Sequence, residues 1–440
     1  MTDRLPDCPD DVLQVSAPPL RAVLAGFQWL ANRRQLWRYP AAKAATAAEE
    51  MSVIDNLYWI YKTSRPITDY ERDLPADLRP NTTAPEAMLP EGFTETASLT
   101  IGAGGDLLRS AGIDGSQDRL FEHVADLLFD QDISFANFES PVTTQPLIDE
   151  VIGDQGPPTE CCSAMQFDIL TSHKGKRFDI LNTANNHMFD MGVEGVETTL
   201  ATLADRQILP LGTNAAPDDY GRALVITRNG IKIGFASAAF GLNGHDLPEA
   251  ETYRIHISRL LSKKGPPDLS LLKRQIDDCK AQGCDFIIAS VHWGYEFELF
   301  PRTVQIEAAR ELVEYGADSI LSHHPHVIQP VEYYRPARDP DRVAVIAHSL
   351  GTLTWGFMAP HIALSTVLNL RLAKGEQNGE ARTYLASVVN TPVFRSYVEE
   401  DGQMITRLEK LANHAGNPDS PFPQNYLERV QAYADLVRRG

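Results

Sequence analysis

Six short apolar runs in this chain are each followed at once by polar residues, and this recurrence constrains the fold more than any other feature. The clearest case lies at residues 285–296, where the apolar run 286–291 precedes His292 and, four residues later, Glu296. An apolar run of this length is typical of a buried strand. Because open α/β sheets bind ligands just beyond the carboxyl ends of their strands, we expect these polar clusters to meet at one site.

The polar residues at the six strand ends share one chemistry, that of metal ligands. They are Asp106; Asn137 and Glu139; Asn185, Asn186, His187 and Asp190; His292 and Glu296; His323, His324 and His326; and His348. Six of the chain's 12 histidines are among them. Carboxylates, imidazoles and amide oxygens hold Zn, Mn or Fe in hydrolytic sites. Such a divalent metal polarises a substrate oxygen and lowers the pKa of bound water to ~7.

The composition predicts three parts. Residues 1–94 carry helical patterns at 18–37 and 41–62, followed by a stretch rich in Pro, Asp, Thr and Asn, so they predict a helical extension and a linker. Residues 95–412 predict the main domain. Residues 413–440 predict a C-terminal helix that packs on it.

Within the main domain, strand and helix patterns alternate before further strands follow. A helix is expected at 118–130, and Asn229-Gly230 between two apolar runs predicts a hairpin. Two or three strands are expected between residues 364 and 408. This order favours a layered α/β fold with mixed sheets packed face to face.

The charge and composition of the chain limit the kinds of molecule that we expect it to bind. The formal net charge is −19 without a Lys/Arg-rich block, which argues against nucleic acid and anionic membranes. The longest apolar runs fall far short of the ~20 residues that a membrane helix needs, so no membrane insertion is expected. The acidic, Pro-broken start does not resemble a signal peptide, and the five cysteines are interpreted as reduced thiols. We therefore expect a cytoplasmic protein.

Taken singly, several of these residues have a purely structural interpretation as well. Asp106 follows two glycines, as turn residues often do, and His292 alone fits a hydrogen-bonded core histidine. Asp190 fits either an acceptor that orients a ligand histidine or an acceptor at a helix start. Arg109 fits an anion-binding residue or an ordinary surface arginine. His348 fits a site residue or a loop support.

Five motifs, in chain order, resemble those of the CapA family. They are Asn137-x-Glu139, Ala184-Asn-Asn-His187-x-x-Asp190-x-Gly192, His292-Trp-Gly-x-Glu296, His323-His-Pro-His326-Val and Ser349-Leu-Gly351. The family is associated with poly-γ-glutamate capsule synthesis and belongs to the calcineurin-like metallophosphoesterase superfamily. The resemblance covers about residues 97–355. It implies a four-layer α-β-β-α metallophosphoesterase-like sandwich, to which this chain adds its N-terminal helical region.

The resemblance also implies roles for individual residues. Asp106 matches the first metal-binding aspartate, and Glu139 takes the place of the bridging aspartate of the superfamily. His187 matches the histidine that contacts the leaving oxygen or the developing oxyanion. The other implied metal ligands are Asn186, His292, His324 and His326.

Two departures from the family pattern leave the number of metal ions open. The superfamily carries Asp-x-His at its first motif, whereas the third position here is Leu108. The family's Ser-Leu-Gly-Asn ends here in Thr352. We expect one or two divalent ions, Mn, Zn or Fe.

Two functional hypotheses follow. The first is metal-dependent hydrolysis of a phosphoester or a glutamyl/amide-type bond in a small-molecule or peptide-like substrate. It assigns catalysis to His187, Asp190 and Glu296, and substrate binding to Arg109, Asn137, Asn185, His323 and His348. The second is an accessory subunit of poly-γ-glutamate synthesis that binds a polyanion or peptide without turnover. The N-terminal helices are expected to cover the pocket, to form a homodimer, or simply to pack.

Overall fold

The computed structural model describes residues 17–148 and 158–438 of the chain. Two large sheets dominate them. The strands, numbered along the chain, are Thr94–Leu107 (β1), Ile133–Phe138 (β2), Ser172–His173 (β3), Lys176–Arg177 (β4), Ile180–Asn182 (β5), Leu209–Leu211 (β6), Leu224–Arg228 (β7), Ile231–Ala239 (β8), Phe286–His292 (β9), Ser319–His323 (β10), Val331–Tyr334 (β11), Ala344–Ala347 (β12), Leu364–Gln377 (β13), Glu380–Glu400 (β14) and Gln403–Lys410 (β15).

The helices flank these sheets. They are Pro18–Arg33 (α1), Val53–Ser64 (α2), Ala125–Leu128 (α3), Ala164–Thr171 (α4), Gly192–Asp205 (α5), Ser270–Ala281 (α6), Thr303–Tyr315 (α7), Pro360–Ala363 (α8) and Gln424–Arg438 (α9).

Both sheets contain four parallel strands, flanked by antiparallel strands on one side of the first sheet and on both sides of the second. The first runs β15-β14-β13-β1-β2-β5-β6, with β1, β2, β5 and β6 parallel. The second runs β11-β12-β10-β9-β8-β7, with β8, β9, β10 and β12 parallel. Parallel strands end at the same edge of a sheet, so the polar residues that follow them gather there.

Alternate residues along a strand point into two different apolar clusters, one on each face of the sheet. Along β2, Ile133 and Phe135 point to the cluster between the sheets, while Ala136 and Phe138 join the cluster beneath the helices. The rings of Phe135 and Phe235 stack between the sheets at 6.3 Å. This alternation is what a sheet covered on both faces requires.

The outer faces are covered by helices. On the first sheet, α4 and α5 contribute residues such as Leu170 and Leu203 to one buried cluster. On the second sheet, α6 and α7 contribute Ile276 and Leu312 to another. The four-layer α-β-β-α fold predicted from the sequence is therefore confirmed.

The hairpin prediction is confirmed, and two helix predictions are wrong in part. Asn229 and Gly230 join β7 to β8 with φ of 51° and 75°, as a two-residue hairpin turn requires. Residues 118–130 form turns and only the short helix α3, because Asp118 has a φ of 56° and Val124, just before α3, has a φ of −131°, and helical backbone allows neither.

The second predicted N-terminal helix begins later than expected. Residues 41–52 form turns and one short 3₁₀ helix, Ala48–Glu50, and α2 starts at Val53. The Ser52 hydroxyl accepts a hydrogen bond from the Asp55 backbone N–H, and the Asp55 carboxylate accepts one from the Ser52 N–H at 2.7 Å. This reciprocal cap fixes the helix start.

Both terminal parts pack on the sandwich. Tyr58 and Tyr61 of α2 are buried, and Leu427 and Val430 of α9 join a cluster that also contains Leu108. Across the described ranges, each helix is too short or too polar to span a lipid bilayer.

Candidate metal centre

Strand ends from both sheets converge on a buried group of carboxylates and imidazoles. Asp106 ends β1, and Glu139 directly follows β2 in the first sheet. His292 ends β9 in the second sheet, and His324 and His326 follow β10. All five side chains are 2% exposed or less.

Gly105 allows β1 to approach the loop after β12. A Cβ on Gly105 would lie 1.9 Å from the Gly351 carbonyl oxygen. The neighbouring Asp106 N–H donates to that same oxygen at 3.0 Å. The absence of a side chain at residue 105 therefore sets the position of Asp106.

Three overlapping sets of ligand atoms have the spacing of a metal site. In each set the atoms lie within 4.8 Å of one another. The sets are Asp106, Glu139 and His326; Glu139, His292 and His324; and Glu296, His324 and His326. Glu296, predicted as a catalytic residue, is thus placed as a further ligand candidate. The sharing of Glu139, His324 and His326 between sets is compatible with one or two ions.

Unpartnered polar atoms test whether a metal fits here. His324 Nδ1 is buried without a hydrogen-bond partner among the described residues. Glu139 Oε1 and His326 Nδ1 are buried as well, and neither makes a well-formed hydrogen bond there, although Glu139 Oε1 lies 3.3 Å from His292 Nε2 and His326 Nδ1 lies 3.0 Å from Asp106 Oδ2. Buried polar atoms are nearly always satisfied, so such exceptions need an explanation. A divalent cation that prefers oxygen and imidazole ligands supplies one, and the donor set fits Mn, Zn or Fe.

The pKa values of the two buried carboxyl groups also favour a metal site. Burial, and then the nearby Asp106 carboxylate, raises the pKa of Glu139 to about 8. Burial acts against ionisation of Asp106 as well, but the His323 and His326 rings hold its pKa well below the usual range. Two carboxylates this close together are both ionised only with positive charge between them, which a divalent ion would provide.

The loop after β10 adopts strained backbone to present its imidazoles. His324 has a φ of 95° and His326 a φ of 56°, both in the left-handed region that non-glycine residues rarely occupy. The two ring centroids lie 6.0 Å apart. Strain of this kind clusters at functional sites, where the surrounding structure enforces it.

A carboxylate holds His187 beside the buried group of candidate metal ligands, which we call the metal group. Its Nδ1 lies 2.7 Å from Asp190 Oδ2, which also accepts the Glu160 backbone N–H at 2.8 Å. Burial disfavours the imidazolium, but Asp190, aided by Glu139 and Glu160, raises the pKa of His187 to about 10. The imidazole of His187 therefore favours its protonated form and can donate a proton.

Asn186 contacts a candidate metal ligand, whereas Asn185 contacts the backbone. Asn186 Oδ1 lies 2.6 Å from His292 Nε2, at the edge of the predicted ligand group, and its amide donates to Asn243 at 3.0 Å. Asn185 is fully buried and donates to the Phe138 carbonyl at 2.7 Å. Its placement favours support of the loop over contact with a substrate.

Asn137 and His323 lie behind the ligand group. The Asn137 amide donates to Asp106 Oδ1 at 2.9 Å and accepts from Asn182 at 2.8 Å. His323 Nδ1 lies 3.3 Å from Asp106 Oδ1. Both residues are fully buried, so this geometry favours orientation of Asp106 rather than the predicted substrate contact.

His348 and Arg109 are not brought to the metal group. His348 Nε2 lies 2.8 Å from Glu332 Oε2, and Arg310 holds the other oxygen of that carboxylate at 2.8 Å. The Arg109 guanidinium donates to the Ile148 carbonyl and lines a neighbouring cavity. Substrate binding by these two residues remains a prediction from the sequence.

The two departures from the family pattern are both accommodated by packing. Leu108 is 1% exposed within an apolar cluster, and its N–H donates to Thr354 Oγ1 at 2.8 Å. Thr352 pairs in a short bridge with Asp106. Leu108 cannot ligate a metal, so its position offers an apolar wall instead.

A cavity of about 420 Å³ opens beside the ligand group. Its lining includes Thr46, Trp59, His187, Glu296, His324 and Trp355. Thr46 and Trp59 were missed in the sequence, as were Asn182 and Asn243. No short motif marks them, because their roles come from contacts across long stretches of chain.

Comparison with known proteins places this arrangement in context. Residues 100–354 match the family model described as "Bacterial capsule synthesis protein PGA_cap". The capsule biosynthesis protein CapA of Bacillus anthracis is 26% identical over 282 residues, 61% of this chain and 63% of that relative. The PGA biosynthesis protein CapA of Bacillus subtilis (strain 168) is 28% identical over 244 residues, 54% of this chain and 57% of that relative.

A third relative carries a different description. A probable polyglutamine synthesis accessory protein of Mycobacterium tuberculosis is 26% identical over 211 residues, which is 46% of this chain and 52% of that relative. The chain thus spans less than two thirds of the length of each of these three relatives.

Proposed function

This chain belongs to the bacterial capsule synthesis protein family PGA_cap, and from that premise we propose that it is a metal-dependent hydrolase of a phosphoester or a glutamyl/amide-type bond. One observation carries the proposal. His324 Nδ1 is buried without a hydrogen-bond partner among the described residues, and it lies beside sets of carboxylate and imidazole ligand atoms that are spaced for a metal.

The residues that would hold the ion are Asp106, Glu139, His292, His324 and His326, with Glu296 and Asn186 at the edge of the group. A divalent metal bound there supplies a Lewis acid that polarises a substrate oxygen and makes water more acidic. The apolar surroundings of the group strengthen that effect, because charges interact more strongly away from solvent.

His187 supplies the proton that hydrolysis needs. Water forms a bond to the phosphorus or carbonyl carbon and releases one proton to the solvent, and the bond to the leaving group breaks. The departing oxygen or nitrogen takes a proton from His187 Nε2, since Asp190 occupies Nδ1 at 2.7 Å. His187 later takes up a proton from the solvent. Asp190 keeps the ring oriented and stabilises its charged form.

Metal content and turnover test the proposal together. The protein is incubated with Mn²⁺ or Zn²⁺, dialysed, and analysed for bound metal by mass spectrometry. Turnover is followed with 4-nitrophenyl phosphate and γ-glutamyl-4-nitroanilide. We expect at least one bound ion per chain and turnover of one probe. Both should fall at least tenfold in His292→Ala.

The control variant is His123→Ala, which removes a half-exposed imidazole that pairs with Glu409 away from the cluster. It should retain metal and turnover. A protein that binds no metal, or a His292→Ala variant that turns over as the parent does, would contradict the hydrolase proposal.

A second candidate is an accessory role in poly-γ-glutamate synthesis without catalysis. Leu108, buried where the superfamily has a histidine ligand, favours it because it removes one ligand from the site. The description of the mycobacterial relative as an accessory protein also supports it. This candidate predicts binding of poly-γ-glutamate that is unchanged in His292→Ala, with no turnover of either probe.

A further inference from the structure

The N-terminal region forms one side of the cavity beside the metal group. We call residues 45–62 the N-terminal wall. Thr46 Oγ1 lies 3.2 Å from His324 Nε2, and the Trp59 indole N–H donates to Glu296. Two ligand candidates of the main domain are thus in direct contact with the wall, so a substrate at the metal group also meets the wall.

A buried ionic network holds the wall in place. Lys62 Nζ lies 3.2 Å from Glu298 Oε1, and the Tyr58 hydroxyl donates to the same oxygen at 3.0 Å. Arg302 pairs with that carboxylate at 2.7 Å. The Lys62 and Glu298 side chains are 4% and 1% exposed. Breaking a buried pair of this kind is costly, so the wall is a fixed part of the site.

The wall presents an apolar and aromatic surface to the cavity. Met51, Trp59 and Ile60 lie on its side, and Leu108 and Trp355 belong to the opposite lining. The Trp59 ring is braced by Phe297 at 5.6 Å. A cavity of about 420 Å³ with such a lining has the size of small-molecule sites.

The charges of the lining do not suit a polyanion. The lining imidazoles of His187, His324 and His326 lie at the metal group, where a single anionic group would bind. Away from it, the lining cation is Lys62, whose ammonium group already pairs with Glu298. Asp55 and Glu296 add negative charge, although Asp55 pairs with Lys263 at 2.7 Å. A chain of carboxylates would therefore leave its second and later charges against apolar surface, where an unpaired ion is unfavourable.

We propose that the N-terminal wall makes this site selective for a small substrate whose anionic or scissile group carries an aromatic or similarly sized apolar substituent. The same surface disfavours a polyanionic chain. This inference rests on the proposed metal-dependent site and adds the class of its substrate. Trp59 is the residue that tests this selectivity best, since it combines the largest ring of the wall with a direct contact to Glu296.

Equilibrium binding tests the inference without turnover. Benzylphosphonate and methylphosphonate share the same anionic group and differ in the aromatic substituent. Their binding to the Mn²⁺-loaded full-length protein is measured by isothermal titration calorimetry. We expect benzylphosphonate to bind roughly tenfold more tightly or better, and poly-γ-glutamate not to displace it.

Three variants separate the possible causes. Trp59→Ala should bring the two phosphonate affinities within about threefold of each other, whereas Trp59→Phe, which keeps a ring without the indole N–H, should retain most of the preference. Trp29→Ala is the matched control, because Trp29 is 58% exposed in the same N-terminal region. Circular dichroism and thermal unfolding check that each variant folds.

The outcomes distinguish this inference from the proposed function. Equal affinities in the parent protein, a preference that survives Trp59→Ala in a folded variant, or displacement by poly-γ-glutamate would each overturn the inference while leaving the metal site intact. Failure of both phosphonates to bind would count against the inference and the proposed function together.

Discussion

At the scale of single residues, His187 is the group whose chemistry is most sharply defined. Its Nδ1 is occupied by Asp190 at 2.7 Å, and the residue lines the cavity. A proton donor in that place matters most when the leaving group is a poor one, because a good leaving group departs as an anion without help.

Replacement of His187 should therefore depend on the leaving group. We expect His187→Ala to lower kcat for phenyl phosphate by about 10²–10⁴-fold, the usual contribution of a general acid. The loss should be much smaller for 4-nitrophenyl phosphate. Steady-state kinetics with both esters measures the difference, and Asp190→Asn should show a weaker form of the same pattern.

The control is again His123→Ala, which should change neither ester's kcat. Equal losses for the two esters in His187→Ala would contradict a role in protonating the leaving group and would favour a role in substrate binding.

The candidate metal ligands could be predicted from the sequence because they lie in short motifs. Asp106, Glu139, His292, His324 and His326 all follow apolar runs, and the structure brings them together. Asn243 and Trp59 were not predictable, since each reaches the site from a segment more than 50 residues away from the residue it contacts. The left-handed backbone of His324 is equally invisible in the sequence.

At the scale of elements, the end of β1 decides where the first ligand lies. Gly105 has no room for a Cβ, because the Gly351 carbonyl oxygen would lie 1.9 Å away. Adding one must push β1 from the loop after β12, and the Asp106 N–H bond to Gly351 at 3.0 Å would be lost or lengthened.

Gly105→Ala is therefore expected to cost stability and metal together. Forced overpacking of this kind typically costs 1–3 kcal/mol, and we expect about that loss in the free energy of unfolding, with weaker Mn²⁺ binding. Urea denaturation and metal analysis measure the two effects.

The matched control is Gly26→Ala in α1, where no atom lies within 4 Å of the added Cβ. It should be neutral or stabilise by about 0.5–1 kcal/mol, because alanine favours helix. If Gly105→Ala retained full stability and full metal binding, the close approach of the two segments would not be what positions Asp106.

Elements were predicted best where periodicity runs long and without special backbone. The hairpin about Asn229-Gly230 and the strand Phe286–His292 were correct, since both carry strong local signals. The sequence predicted more helix in residues 118–130 and 41–52 than the structure contains. A left-handed Asp118 and the cap at Ser52 override the apolar spacing there.

At the scale of the whole molecule, the candidate metal ligands come from both sheets. Asp106 and Glu139 belong to the ends of the first sheet, and His292 and His324 to the ends of the second. The sheets already share an apolar core, but their polar ends meet at this cluster. A metal held by both would therefore add a direct link across the central layers of the fold.

Metal removal should for this reason lower the stability of the entire domain. A ligand that binds only the folded state stabilises it by RT ln(1 + [L]/Kd), about 2.7 kcal/mol when free Mn²⁺ is a hundredfold above its Kd. We expect thermal unfolding to shift to higher temperature on addition of Mn²⁺ and back on addition of EDTA. Glu139→Gln, which keeps the shape of the side chain but removes its charge, should lose most of that shift, whereas His123→Ala should keep it. A metal-dependent shift that persists in Glu139→Gln would place the stabilising ion somewhere other than between the sheets.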